Sequence, residues 1–102
     1  MKTIIMIVHN NFQQDLADLL RSLTQIQGFT FSHVEGHGVQ EANDSFLSAR
    51  DKVVGYVPRI RVDILLDDRY VDTVLESVRA MSKGGNELGI FWVNDVQSSG
   101  RI

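Results

Sequence analysis

Two amphipathic helical stripes, each lying between strand-like runs, constrain this chain more than anything else in it. Phe12, Leu16, Leu19, Leu20 and Leu23 recur at the spacing that gathers apolar side chains on one helical face. Val71, Val74, Leu75 and Val78, with Met81 a candidate extension, repeat the pattern. Asn10 or Asn11 can cap the first helix, with Gln13 or Gln14 at the capping-box offset. Asp67 or Asp68 can cap the second, and Lys83-Gly84-Gly85-Asn86 is expected to stop it. Strand-like runs extend from Thr3 to Val8, Gly28 to Glu35, Pro58 to Leu66 and Gly89 to Val93, with Gly28 ending the turn into the second. The third alternates, with Ile60, Val62, Ile64 and Leu66 opposite Arg59, Arg61 and Asp63.

This βαββαβ order predicts an α+β, ferredoxin-like fold: four antiparallel strands with two helices on one face. Two helices leave the other face open. Yet Ile4-Ile5-Met6-Ile7-Val8 and Ile90-Phe91-Trp92-Val93 are apolar at consecutive positions, so both faces of the first and last strands call for burial. A sheet from another copy of the chain would supply it, which predicts an oligomer. Trp92 accordingly reads as core or interface rather than as a platform for ligands.

With 102 residues, the chain has room for one core, so residues 1–102 are expected to form a single domain. Its 43% hydrophobic and 23% charged residues fit a globular protein and argue against disorder. No apolar run approaches the roughly 20 residues of a membrane span, so direct membrane insertion is not expected. The run after Lys2 is too short for a signal peptide and meets His9-Asn10-Asn11 without a small-residue cleavage site. The absence of cysteine excludes disulfides, thiolate nucleophiles and zinc–thiolate sites. A cytoplasmic location is the expectation. A net charge of −3 argues against nucleic-acid binding, which demands a basic face.

A hairpin needs only about 2–5 linking residues, yet residues 37–54 intervene between the second and third strand-like runs. A Gly36-His37-Gly38-Val39-Gln40 turn feeds them, and its alternate glycines permit φ > 0 and close approach by a ligand. The hairpin therefore carries an arm, and arms generally serve partners or ligands.

With the elements in this order, the chain resembles the PII-like signalling family over nearly its whole length. Val34-Glu35-Gly36-His37-Gly38-Val39-Gln40 is similar to the Val-Lys-Gly-Phe-Gly-Arg-Gln that opens the family's long T-loop. Val53-Val54-Gly55-Tyr56-Val57-Pro58-Arg59, running into the alternating strand to Ile64, resembles the segment that closes it. Asp68-Arg69-Tyr70-Val71-Asp72-Thr73-Val74 is similar to the family's second helix start. The resemblance implies a homotrimer with effector clefts between subunits, and a T-loop that changes shape to engage a transporter or enzyme. Some features depart from it. ATP-binding members carry Thr-Gly-Lys-x-Gly-Asp-Gly-Lys before the last strand, where this chain has Lys83-Gly84-Gly85-Asn86-Glu87-Leu88-Gly89-Ile90. Val39 replaces the T-loop arginine, Lys52 the modified tyrosine, and the arginine-rich tail shrinks to Gly100-Arg101-Ile102. Gly28-Phe29-Thr30, Gly36-His37-Gly38, Leu47-Ser48-Ala49 and that tail are similar to short PII-like proteins associated with heavy-metal efflux pumps.

Thr30, Gly36, Gly38 and Gln40 match family positions lining the nucleotide cleft, which makes an adenine nucleotide a candidate effector. A Gly-x-Gly turn offers backbone N–H groups, and a hydroxyl and an amide add neutral partners for a base or ribose. The alternative is a glycine corner that only aims the arm. Arg59 and Arg101 are the cations left to meet a phosphate. Arg61 shares the face of Arg59 but reads better as an ion-pair partner of Glu35 or Asp63. His33 and His37 are weaker candidates as metal ligands: their spacing is a metal signature on a helix, and this segment is not one. Asp44, Ser45 and Ser48 near histidines resemble a triad in composition only, so an enzyme is not expected. The leading reading is a trimeric regulator whose arm, residues 40–54, contacts a partner such as a membrane transporter. Its competitor is a metal-handling trimer similar to the CutA-type proteins, and a third is a small ferredoxin-like enzyme with His9 inside a sealed pocket.

Overall fold

The computed structural model describes residues 1–37, 57–82 and 88–102. Its elements are β1 (Lys2–His9), α1 (Gln13–Ser22), β2 (Ile26–Gly36), β3 (Val57–Leu66), α2 (Val71–Arg79) and β4 (Gly89–Asp95). A 3-10 turn leads into each helix, Asn10–Phe12 before α1 and Asp68–Tyr70 before α2. The strands form one sheet in the order β2-β3-β1-β4, and every pairing is antiparallel. This is the expected α+β arrangement.

Side-chain alternation decides what each face holds. Ile4, Met6 and Val8 of β1 stand beside Ile64, Val62 and Ile60 of β3, and all six are buried. Leu16 and Leu20 of α1 and Val74, Leu75 and Val78 of α2 complete that core. Phe29 and Phe31 of β2 flank it, their ring centroids 5.5 Å apart. The helix stripes are thus the ones read from spacing. Asp15 and Asp72 lie in the first turns and Arg21 and Arg79 in the last, as the helix dipole favours.

The ends of the elements depart from expectation in two places. Neither Asn10 nor Asn11 caps the first helical turn. His9, only 4% exposed, does so: its Nδ1 accepts the Asn11 backbone N–H at 3.2 Å. Asp67 fills the same role before α2, accepting from the Arg69 N–H at 3.1 Å. Gly28 lies within β2, beside a register shift that places Gln27 as an extra residue between the Ile26–Leu66 and Gly28–Leu65 pairs. Helix α2 ends at Arg79, with the Ala80 N–H donating to Glu76 O at 3.0 Å. The expected stop at residues 83–86 lies outside the described residues.

The His9 cap can be tested directly. His9→Ala should cost about 0.5–2 kcal/mol for the cap, and His9→Asn, which restores a short acceptor, should recover part of it. Urea denaturation at fixed protein concentration checks both; equal losses in the two variants would show that His9 acts by packing alone.

Candidate functional site

The helix-free face of the sheet is divided by chemistry. Across it, Thr30 of β2 stands beside Asp63 of β3, then Ile5 of β1, then Trp92 of β4. The next row is Ser32, Arg61, Ile7 and Ile90, and the third is Val34, Arg59 and His9. The β2–β3 half is therefore largely polar and the β1–β4 half mainly apolar. Ile5 is buried by its neighbours in the single chain, whereas Ile90 and Trp92 remain 63% and 39% exposed. Trp92 is thus not core, and the two-sided apolar character of β4 leaves open surface.

Arg59 and Arg61 share this face, as their two-residue spacing requires, but their surroundings differ. Arg61 grips Asp63 with two hydrogen bonds, Nε to Oδ2 and a terminal nitrogen to Oδ1, both 3.1 Å. That contact raises the Arg61 pKa above its ordinary value, through the hydrogen bonds first and the carboxylate charge second. Arg61 is therefore an ion-pair residue. Arg59 sits half-buried between Val34 and His9. Arg101 lies on the exposed segment after β4, and among the described residues nothing bonds it to Arg59 or Gly36.

Thr30 and Gly36 belong to one strand, six residues apart. At about 3.3 Å per residue their Cα atoms are roughly 20 Å apart. A molecule the size of a nucleotide base and ribose cannot touch both within one chain. Gly36 is paired with Val57 at the end of the described ladder. Gly38, Gln40, the arm at 40–54 and the triad-like Asp44, Ser45 and Ser48 lie outside the described residues, as does the loop at 83–87.

His33 and Glu35 occupy the opposite face of the same strand end, His37 follows just beyond it, and all three are exposed. His37 Nε2 lies 3.2 Å from Glu35 Oε2. Among the described residues no three His, Asp or Glu side chains converge as metal ligands would. Thr30 and Arg59 are therefore separated from His33 by the thickness of the sheet. His9, placed by the enzyme reading in a sealed pocket, is a helix cap that stands outside the cavity lining described below.

Spacing alone did not reveal Ser32, which stands between Thr30 and Val34 beside Arg61. The alternation of the strand carries the signal, since Thr30, Ser32 and Val34 must share a face.

A ferredoxin-like sheet with a long β2–β3 connection, in this strand order, defines a PII-like fold. A profile described as "Protein of unknown function (DUF3240)" matches residues 2–102. The chain therefore belongs to the DUF3240 family. It is also similar to the nitrogen regulatory protein P-II of Rhizobium etli, at 26% identity over 80% of this chain and 73% of that protein. Similarity to nitrogen regulatory protein GlnK of Escherichia coli K12 is 27%, over 100% of this chain and 91% of that protein. Among solved structures, a DUF3240 family protein from Shewanella baltica superposes with a TM-score of 0.77 at 16% identity, covering 99% of this chain and 94% of that one. Among the described residues no helix is long and apolar enough to cross a membrane.

Proposed function

We propose that this protein is a homotrimeric PII-like regulator that binds a small effector in clefts between subunits and controls a partner through residues 40–54. The observation that carries this reading is the roughly 20 Å between Thr30 and Gly36 on one strand. Both can line one small site only if two copies of the chain contribute, Thr30 from one and the Gly36 turn from the next. The apolar half of the open face, with Ile90 and Trp92 exposed, supplies a surface on which copies associate. The names of the relatives, nitrogen regulatory proteins, support a signalling role rather than catalysis. The partner is a transporter or another cytoplasmic-side protein, and the protein itself is cytoplasmic.

The effector is an adenine mono- or diphosphate, or a small non-nucleotide molecule, in preference to ATP. Two phosphate-facing lysines of the ATP-binding pattern are missing from residues 83–90. Each charge-assisted contact is worth roughly 1.5–3 kcal/mol, so losing two weakens binding about a hundredfold or more. Thr30, Gly36, Gly38 and Gln40 would hold base and ribose, with Arg59 and Arg101 placed toward the phosphate. Effector binding would then shift the arm between states of different effector affinity.

Light scattering combined with calorimetric titration of AMP, ADP and ATP tests this. The expected result is a trimer that binds AMP or ADP at least as well as ATP and loses tenfold or more in Thr30→Val or Gly38→Val. A monomer at micromolar concentration removes the cleft. Submicromolar ATP binding insensitive to both substitutions would place the site elsewhere. Tight binding of a divalent metal without nucleotide would favour the metal-handling alternative at His33 and His37.

A further inference from the structure

Beneath the C-terminal half of α2, on the helix-covered side of the sheet, lies a cavity of about 570 Å³, within the usual range of small-molecule sites. Its floor is formed by Met6, Val8, Leu75 and Val78, all buried. Two features of β4 keep it open. Gly89 occupies the register position beside Val8, so no side chain enters the space from there. Phe91, beside Met6, is 44% exposed rather than turned inward, and the Arg79 guanidinium lies 5.3 Å from its ring centroid.

Arg79 is the one charged group among the described lining residues. No carboxylate among the described residues pairs with it. A guanidinium lying over an aromatic ring keeps its N–H edge available, and that edge matches a carboxylate in two-point contact. An apolar floor beneath a single ringside cation selects for an apolar body with one anionic head. We propose that this cavity binds a small monocarboxylate, of the medium-chain fatty or arylalkanoic class, with its chain on the Met6–Val78 floor and its carboxylate at Arg79.

The site lies on the opposite side of the sheet from Thr30 and Arg59, so it stands or falls independently of the nucleotide reading. The test uses the full chain with 1-anilinonaphthalene-8-sulfonate as a fluorescent reporter, displaced by octanoate, 1-octanol or octylammonium. Octanoate should displace it at roughly two- to fivefold lower concentration than octanol, the size of effect expected for an exposed ion pair, with octylammonium weakest. Arg79→Gln should abolish the octanoate advantage and leave octanol unchanged, because Arg79 is exposed and its replacement spares the core. Val78→Trp, which fills the cavity, should suppress displaceable reporter binding while circular dichroism remains native. If that variant fails to fold, Arg79→Gln decides alone. Octanoate no better than octanol, an advantage that survives in Arg79→Gln, or displaceable reporter retained in a folded Val78→Trp would each overturn the proposal. So would displacement of the reporter by ADP, which would mean that the reporter sits in the cleft between copies.

Discussion

Leu20→Ala is expected to destabilise the protein by about 2–5 kcal/mol, the range for deleting a fully buried leucine side chain. Leu20 is 0% exposed and belongs to the core cluster that α1 forms with the sheet. Leu19 and Leu23, its neighbours on the stripe, are only partly buried and cannot close around the void. For a domain of about this size each kcal/mol lowers the melting temperature by roughly 4–8 °C. The comparison must be made at fixed protein concentration, since association shifts apparent stability. Leu23→Ala is the control and should cost clearly less; equal losses would mean that α1 is not seated through Leu20.

Gly89→Ala should be costly for a different reason. A Cβ at this position would lie 1.9 Å from Ile7 O, with Ile7 C and Val8 Cα each 2.9 Å away. All three atoms are backbone, so no side chain can swing aside. β4 must then move off β1 at the end where the His9 N–H donates to Leu88 O at 3.3 Å. Overpacking of this kind costs about 1–3 kcal/mol, and the damage should be local. Hydrogen exchange should speed up at the Gly89–Val8 end of the β1–β4 ladder while the β2–β3 ladder keeps its protection. Unchanged exchange along β4, together with wild-type stability, would mean that the strand has room the geometry denies.

Much of this architecture was legible because burial follows alternation so closely. In β3, Ile60, Val62, Ile64 and Leu66 are all 0% exposed, with half-buried residues between them, and the sequence alternates in step. The same rule put Arg59 and Arg61 on one face. His9 as a cap was not legible, because imidazole falls outside the usual Ser, Thr, Asp and Asn set and because its burial depends on β3 beside it. Nor was the bulge at Gln27, since an extra residue leaves no mark in composition. The site was legible in part. Resemblance supplied Thr30 and Gly36 as candidates, but only the strand between them gives the separation that keeps one small molecule from touching both within one chain. The cavity beside Arg79 left no trace in the sequence, because it arises from what Gly89 lacks and where Phe91 is held.

The two faces of β2 carry a constraint on how such chains can change length. Thr30, Ser32 and Val34 look one way, while His33 and Glu35 look the other, and the frame is set by a single unpaired residue at Gln27. Losing or gaining one residue between Gly28 and Gly36 would exchange the two sets of side chains, bringing the histidine to the helix-free face and sending the threonine toward the helices. Changes in twos preserve the frame and shift only the reach of the hairpin. Viable length variants of this strand should therefore differ by even numbers.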